Sequence, residues 1–180
     1  MMTKLRRAAV LAELVGKLRD HGSWAGETHI QKACYFAQEM LHVPFGFSFI
    51  LYRHGPFSFD LRDELTSLRA NEILKLEPQP LPYGPKIAPT EHSADVRKRF
   101  PKTLGRYEEK LAFVAEKLGS RGVAVLERLA TALFVTLGEG QDQRVEERSL
   151  RLCRLKPHVS EEQAQGAVQE IDTMLSELPG

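Results

Sequence analysis

Histidines, cysteines and carboxylates are the groups with which this chain could do hydrolytic, redox or metal chemistry. The six histidines, His21, His29, His42, His54, His92 and His158, are scattered. No two stand three or four residues apart, the step that sets two ring nitrogens on one helix face, and no Cys-x-x-Cys accompanies them. Locally built zinc sites use that kind of spacing, so the expectation is no metal site and no cofactor. Ser58 follows Gly55-Pro56-Phe57 without the Gly-x-Ser-x-Gly context of an exposed nucleophile, and reads as a helix cap. Gly138-Glu139-Gly140 lacks the rest of a phosphate loop. Asp60, Asp63 and Glu64 are spaced for acid–base work, but beside Arg62 and Arg69 they read as a solvated helix face. The expectation is therefore no catalytic residue and no enzyme: the chain binds.

The sharpest local signal is Tyr52-Arg53-His54-Gly55-Pro56. One reading makes it a partner-binding surface with Arg53 and His54 exposed. The other makes it scaffold: Gly55 takes backbone angles closed to other residues, Pro56 fixes the entry to the next helix, and Tyr52 packs. The two are compatible, because a rigid turn presents side chains well.

The elements that must hold this turn follow from periodicity. Leu5, Ala8, Leu11, Ala12, Val15 and Leu18 make one helix face ending near Gly22. Thr28 to Gln31 has the form of a capping box, with Thr28 as N-cap and Gln31 reaching back. Ile30, Ala33, Cys34, Ala37 and Leu41 follow as the stripe of a central helix, stopped by Pro44. Phe47, Phe49 and Leu51 predict a strand broken by Gly55-Pro56. Ser58 caps a third helix, with Leu61, Leu65 and Leu68 inward and Asn71 as its stop. Two short strands, Ile73–Leu76 and Lys86–Ala88, flank a turn rich in proline. Beyond Glu91 the chain reads as helical throughout. Leu104, Tyr107, Leu111, Val114 and Leu118 form a stripe stopped by Gly119. Val123–Leu137 is apolar nearly all round and ends at Gly138 and Gly140. A charged helix over 141–154 turns Val145, Leu152 and Leu155 inward. A capping box at Ser160 to Gln163 opens a last helix with Ala164, Ala167, Val168, Ile171, Leu175 and Leu178 as its stripe.

The expected fold class is α+β and predominantly α: a winged-helix-like N-terminal core over 1–100 with a small antiparallel sheet, covered by a helical C-terminal layer over 101–180, together one domain of 180 residues. The hydrophobic share of 42% and the charged share of 27% are those of a globular chain. A net charge of +1 gives no global pull toward nucleic acid or an anionic membrane. The apolar run in residues 1–15 is interrupted by Glu13 and then Lys17, unlike a signal peptide, and Val123–Leu137 is too short to span a bilayer. Cys34 and Cys153 imply no disulfide framework, although a bridge between them stays open. The expected location is cytoplasmic.

Ile30-Gln31-Lys32-Ala33-Cys34-Tyr35-Phe36-Ala37, followed by Tyr52-Arg53-His54-Gly55-Pro56, resembles the Panacea (SocA-like) antitoxin domain and its YwgA-like relatives. Their pattern is a Leu-Gln-Lys-Leu-x-Tyr-Phe-Ala-Gln type of helix, then a strand ending in Tyr-x-x-Gly-Pro, then a helix. Ile30 stands for the usual leucine. The tail Leu155-Lys156-Pro157-His158-Val159-Ser160 is closer to the YwgA-like branch. The resemblance implies a non-enzymatic module that neutralises a protein partner, such as a cognate toxin, by direct contact in a toxin–antitoxin or phage-defence setting. No catalytic residue carries over.

The alternative is a winged-helix DNA-binding transcription regulator, with the third helix in the major groove. That helix carries Asp60, Asp63 and Glu64 against Arg62 and Arg69, which opposes phosphate contact. The wing offers only Lys86, and Lys4, Arg6 and Arg7 lie outside the reading element. Arg97, Lys98, Arg99 and Lys102 form a compact basic cluster that keeps DNA in play behind a protein partner.

Overall fold

The computed structural model describes residues 2–138 and 143–179. It is predominantly helical, with two small antiparallel sheets. The first helix, α1 (Lys4–Asp20), is the central beam. Val10, Leu11, Leu14 and Val15 are fully buried, so its apolar surface is wider than one stripe. The cause is neighbours on several sides: α4 (Glu91–Lys98), α5 (Pro101–Leu118) and the strand β4 (Lys86–Pro89) all pack on it. Leu5 departs from the expected stripe and is exposed, because it sits in the first turn on a face that nothing covers.

The second helix, α2 (Glu27–Tyr35), starts with Gly26 as its N-cap and no capping side chain, not with Thr28. Gln31 does not reach back. Its amide donates to the carbonyl oxygen of Ser58 and accepts from the Ser58 N–H, each at 2.9 Å. A tertiary partner with both a donor and an acceptor displaced the local cap. The helix continues as a π-helical turn, Phe36–Met40. It ends at His42, whose φ of +56° reverses the chain two residues before Pro44. The N–H of Val43 then returns to the carbonyl of Ala37 at 2.9 Å.

The expected strand through Phe47 and Leu51 proves to be a hairpin. β1 (Ile50–Tyr52) pairs antiparallel with β2 (Gly55–Phe57), Tyr52 opposite Gly55 and Ile50 opposite Phe57. Gly55-Pro56 therefore opens a strand and does not merely break one. The third helix, α3 (Phe59–Ala70), begins as expected: the Ser58 side chain accepts from the Leu61 N–H at 3.2 Å, and Asn71 caps its end. The second sheet is β3 (Leu74–Glu77) against β4, its outer side tied to Ala25 by the Ile87 N–H at 2.8 Å. This hairpin carries Lys75 as well as Lys86, contrary to the single lysine expected.

The C-terminal layer consists of α6 (Val123–Leu137), α7 (Val145–Leu155) and α8 (Glu161–Ser176). The expected stop at Gly140 and the start of the charged helix at Gln141 lie outside the described residues. Leu152 is buried, but Leu155 is exposed. The helix ends there, and the stem of Lys156 takes the inward place. The Ser160 capping box forms as expected. One contiguous apolar cluster runs from Met2 to Met174, with Leu178 packed against it.

Candidate functional site

The β1–β2 hairpin is held from three separate parts of the chain. β2 lies against α2 and α6. Lys32 of α2 is only 1% exposed, and its ammonium donates to the carbonyl oxygen of Pro56 at 2.9 Å. Lys156, which follows α7 and is also buried, donates to the carbonyl oxygen of Arg53. Gln31 fixes Ser58 just beyond the hairpin. The Arg53 carbonyl in the loop and the Pro56 carbonyl in β2 thus have charged donors, which make stronger bonds than neutral ones.

Gly55 makes this seat feasible. Its φ is +84°, in the left-handed region. A Cβ there would lie 3.1 Å from Thr131 Oγ1 and 3.4 Å from the Glu127 carbonyl oxygen, both on α6. Thr131 is fixed by donating to that same carbonyl at 2.7 Å. Conformation and proximity both demand glycine.

Glu127 balances the charge beneath the hairpin. Its side chain is mostly covered, and Oε1 lies 2.9 Å from His54 Nδ1. Burial lowers the Lys32 ammonium to about 8, opposed by the attraction of Glu127 and reinforced by the repulsion of Lys156. Burial also lowers Lys156, again opposed by Glu127. Two buried ammonium groups thus share one carboxylate, a cost tolerated because each also holds a backbone carbonyl.

The outward side is different. Ile50 is 48% exposed and Tyr52 47% exposed. Tyr52 lies 5.9 Å from Phe57 and 5.8 Å from Phe59, and the two phenylalanines are 5.1 Å apart, edge to face. The Arg62 guanidinium stacks on Phe59 at 4.9 Å. An exposed aromatic group with an arginine over it therefore spans the hairpin and the first turn of α3. Of the five residues singled out in the turn, Tyr52, Arg53 and His54 face solvent, whereas Gly55 and Pro56 are buried.

No family model matches the chain, and no curated protein matches it.

Sequence reasoning missed Gln31, Lys32, Glu127 and Lys156. A signal for Lys32 was present: the five residues that follow it, Ala33 to Ala37, are all apolar or aromatic, so it lies on a largely apolar helix. Glu127 was similarly placed within an apolar helix. The expected solvated face of α3 needs correction at Glu64, which is 8% exposed and pairs with Arg7 at 3.1 Å, because the first turns of α1 pass over that side. Asp60 accepts from the Ser48 N–H at 3.3 Å. The basic cluster is partly neutralised: Arg97 pairs with Glu13 at 2.9 Å and Lys98 with Asp95 at 3.7 Å. Both cysteines are free thiols. Cys34 is buried, and burial pushes its thiol well up, which makes it inert. Among the described residues, no group of three histidines, cysteines or carboxylates is placed to hold a metal ion. No helix among them is long and apolar enough to cross a membrane.

Proposed function

We propose that the chain is an antitoxin-like protein-interaction module of the Panacea (SocA-like) kind, YwgA-like branch. It binds and neutralises a protein partner through the outward face of the β1–β2 hairpin. The observation that carries this reading is the exposed group Ile50, Tyr52 and Phe59 with Arg62 stacked on it, mounted on a backbone held by Lys32, Lys156 and Gln31. Tyrosine and arginine dominate the energetics of protein interfaces, and side chains already fixed lose little freedom on binding. The charges beneath the hairpin act on its backbone and not on a substrate, which favours binding over catalysis.

The alternative, a winged-helix DNA-binding regulator, draws less support. Asp60 and Asp63 stay exposed on α3, and Arg62 lies over Phe59. The test is co-expression with the product of the adjacent reading frame. Growth should be restored by the wild-type chain and not by a Tyr52→Ala, Phe59→Ala double variant with an unchanged melting temperature. Full rescue by that variant would move the interface elsewhere; a harmless neighbouring product would remove the antitoxin reading.

A further inference from the structure

A second site lies away from the hairpin, between the start of α1 and the start of α5. A concavity of about 410 Å³ is lined by Met2, Arg6, Pro44, Lys102, Thr103, Arg106 and Tyr107. Its volume falls within the range of small-ligand pockets. All of its charged lining residues are cations: Arg6 comes from α1, Lys102 and Arg106 from α5. Among the described residues none of the three has a carboxylate within ion-pair distance, nor a hydrogen-bond partner for its side chain.

Neighbouring cations on the same two helices are satisfied. Arg7 pairs with Glu64 at 3.1 Å, Lys17 with Glu108 at 2.6 Å, and Lys110 donates to the Leu41 carbonyl at 3.0 Å. Surface charges of a protein with net charge +1 are ordinarily interspersed with their opposites. The larger groove, beside β3, follows that rule: Arg69, Lys75 and His92 line it together with Glu72 and Glu91. The α1–α5 concavity breaks it. Three like charges around one hollow repel each other until an anion enters. The remaining walls fit an anion with a body attached. Thr103 and Tyr107 offer hydroxyls, while Met2, Pro44 and the Tyr107 ring offer apolar surface.

We propose that this concavity binds a small phosphorylated ligand, its phosphoryl oxygens on Arg6, Lys102 and Arg106 and its apolar or aromatic body against Tyr107, Pro44 and Met2. Guanidinium groups suit this task because their paired donors match phosphate geometry. A concave site with an apolar wall favours a small molecule over the backbone of a duplex, which needs a stripe of cations. The basic cluster noticed in the sequence contributes Lys102 to it. Arg97 is committed to Glu13, and Lys98 does not line the hollow.

The test is calorimetric titration of the full chain with ADP, inorganic pyrophosphate and adenosine, without metal and at low salt. ADP and pyrophosphate should bind one to one, weakening as salt rises, and adenosine should not bind. Arg6→Ala with Arg106→Ala should weaken both anions by at least about tenfold, because two charge-assisted donors are lost. Lys98→Ala, which removes an exposed cation outside the hollow, should leave them unchanged. Circular dichroism melting checks that the double variant stays folded. The proposal is overturned by no anion binding at millimolar concentration, by equal weakening in Lys98→Ala, or by adenosine binding as well as ADP. A duplex oligonucleotide that binds more tightly than ADP and loses its affinity in the double variant would replace it with a nucleic-acid face.

Discussion

Gly55 is the residue on which the hairpin turns, and two independent constraints meet there. Its φ of +84° strains any L side chain, and a Cβ would press on Thr131 and the Glu127 carbonyl of α6. Gly55→Val should therefore cost about 1–3 kcal/mol, read as a lowered melting temperature. Arg53→Ala and His54→Ala should cost little. The Arg53 group that matters is its carbonyl, and the His54 contact to Glu127 is solvent-exposed on the histidine side. A tolerated Gly55→Val would dispose of the structural account of this turn. Lys32 makes a different kind of prediction. Its ammonium titrates near 8 in the folded chain, against 10.5 as its ordinary value. Between those two pH values the unfolded chain binds more protons than the folded one, so stability rises with pH across the window. The penalty for burying the charge is fully present below pH 8 and relieved toward 10.5. Comparing wild type with Lys32→Met by urea unfolding, the wild type should gain on the order of 3 kcal/mol relative to the variant over that range, a ceiling set by the size of the shift. Parallel pH profiles would mean that Lys32 is not buried as a charge.

At the scale of elements, the joints are made by single polar side chains reaching between segments distant in sequence. Gln31→Leu should leave the Ser58 N–H without its partner where α2 meets the start of α3, while the Ser58 carbonyl keeps the Arg62 N–H at 3.2 Å. A loss of about 1–3 kcal/mol is expected on chemical denaturation, the cost of one stranded buried group. Lys156→Met should act more locally. Hydrogen exchange should speed up through residues 52–56 while the interior of α1 stays protected; uniform acceleration would show that Lys156 supports the whole fold and not the hairpin. These joints also mark the limit of what the sequence could tell. Helices with a clear periodic face were legible almost to their ends, as were the Ser58 and Ser160 caps, because those signals are local. The Thr28 box failed because Gln31 had a better partner 27 residues away. The strand through Phe47 was misjudged because a three-residue strand pairing across Arg53-His54 leaves too short an alternation to read. Arg53 and His54 are exposed as one reading had them, whereas Tyr52, expected to pack, is half-exposed. Lys32, Glu127 and Lys156 were not found, since nothing local states that an ammonium will be spent on a distant carbonyl.

For the molecule as a whole, α1 carries the load, touching α4, α5 and β4 along its length. Leu11→Ala, at a site with no exposure, should cost about 2–5 kcal/mol and should lower the melting temperature as one cooperative transition, because one apolar cluster joins the first helix to the last. The clamp on Arg53 has a further meaning in time. Its donor, Lys156, lies 103 positions downstream of the carbonyl it holds. A ribosome synthesising this chain releases the hairpin long before it releases the lysine. A nascent chain that has not reached Lys156 therefore has the Lys32 and Gln31 contacts available to its hairpin but lacks the clamp on Arg53.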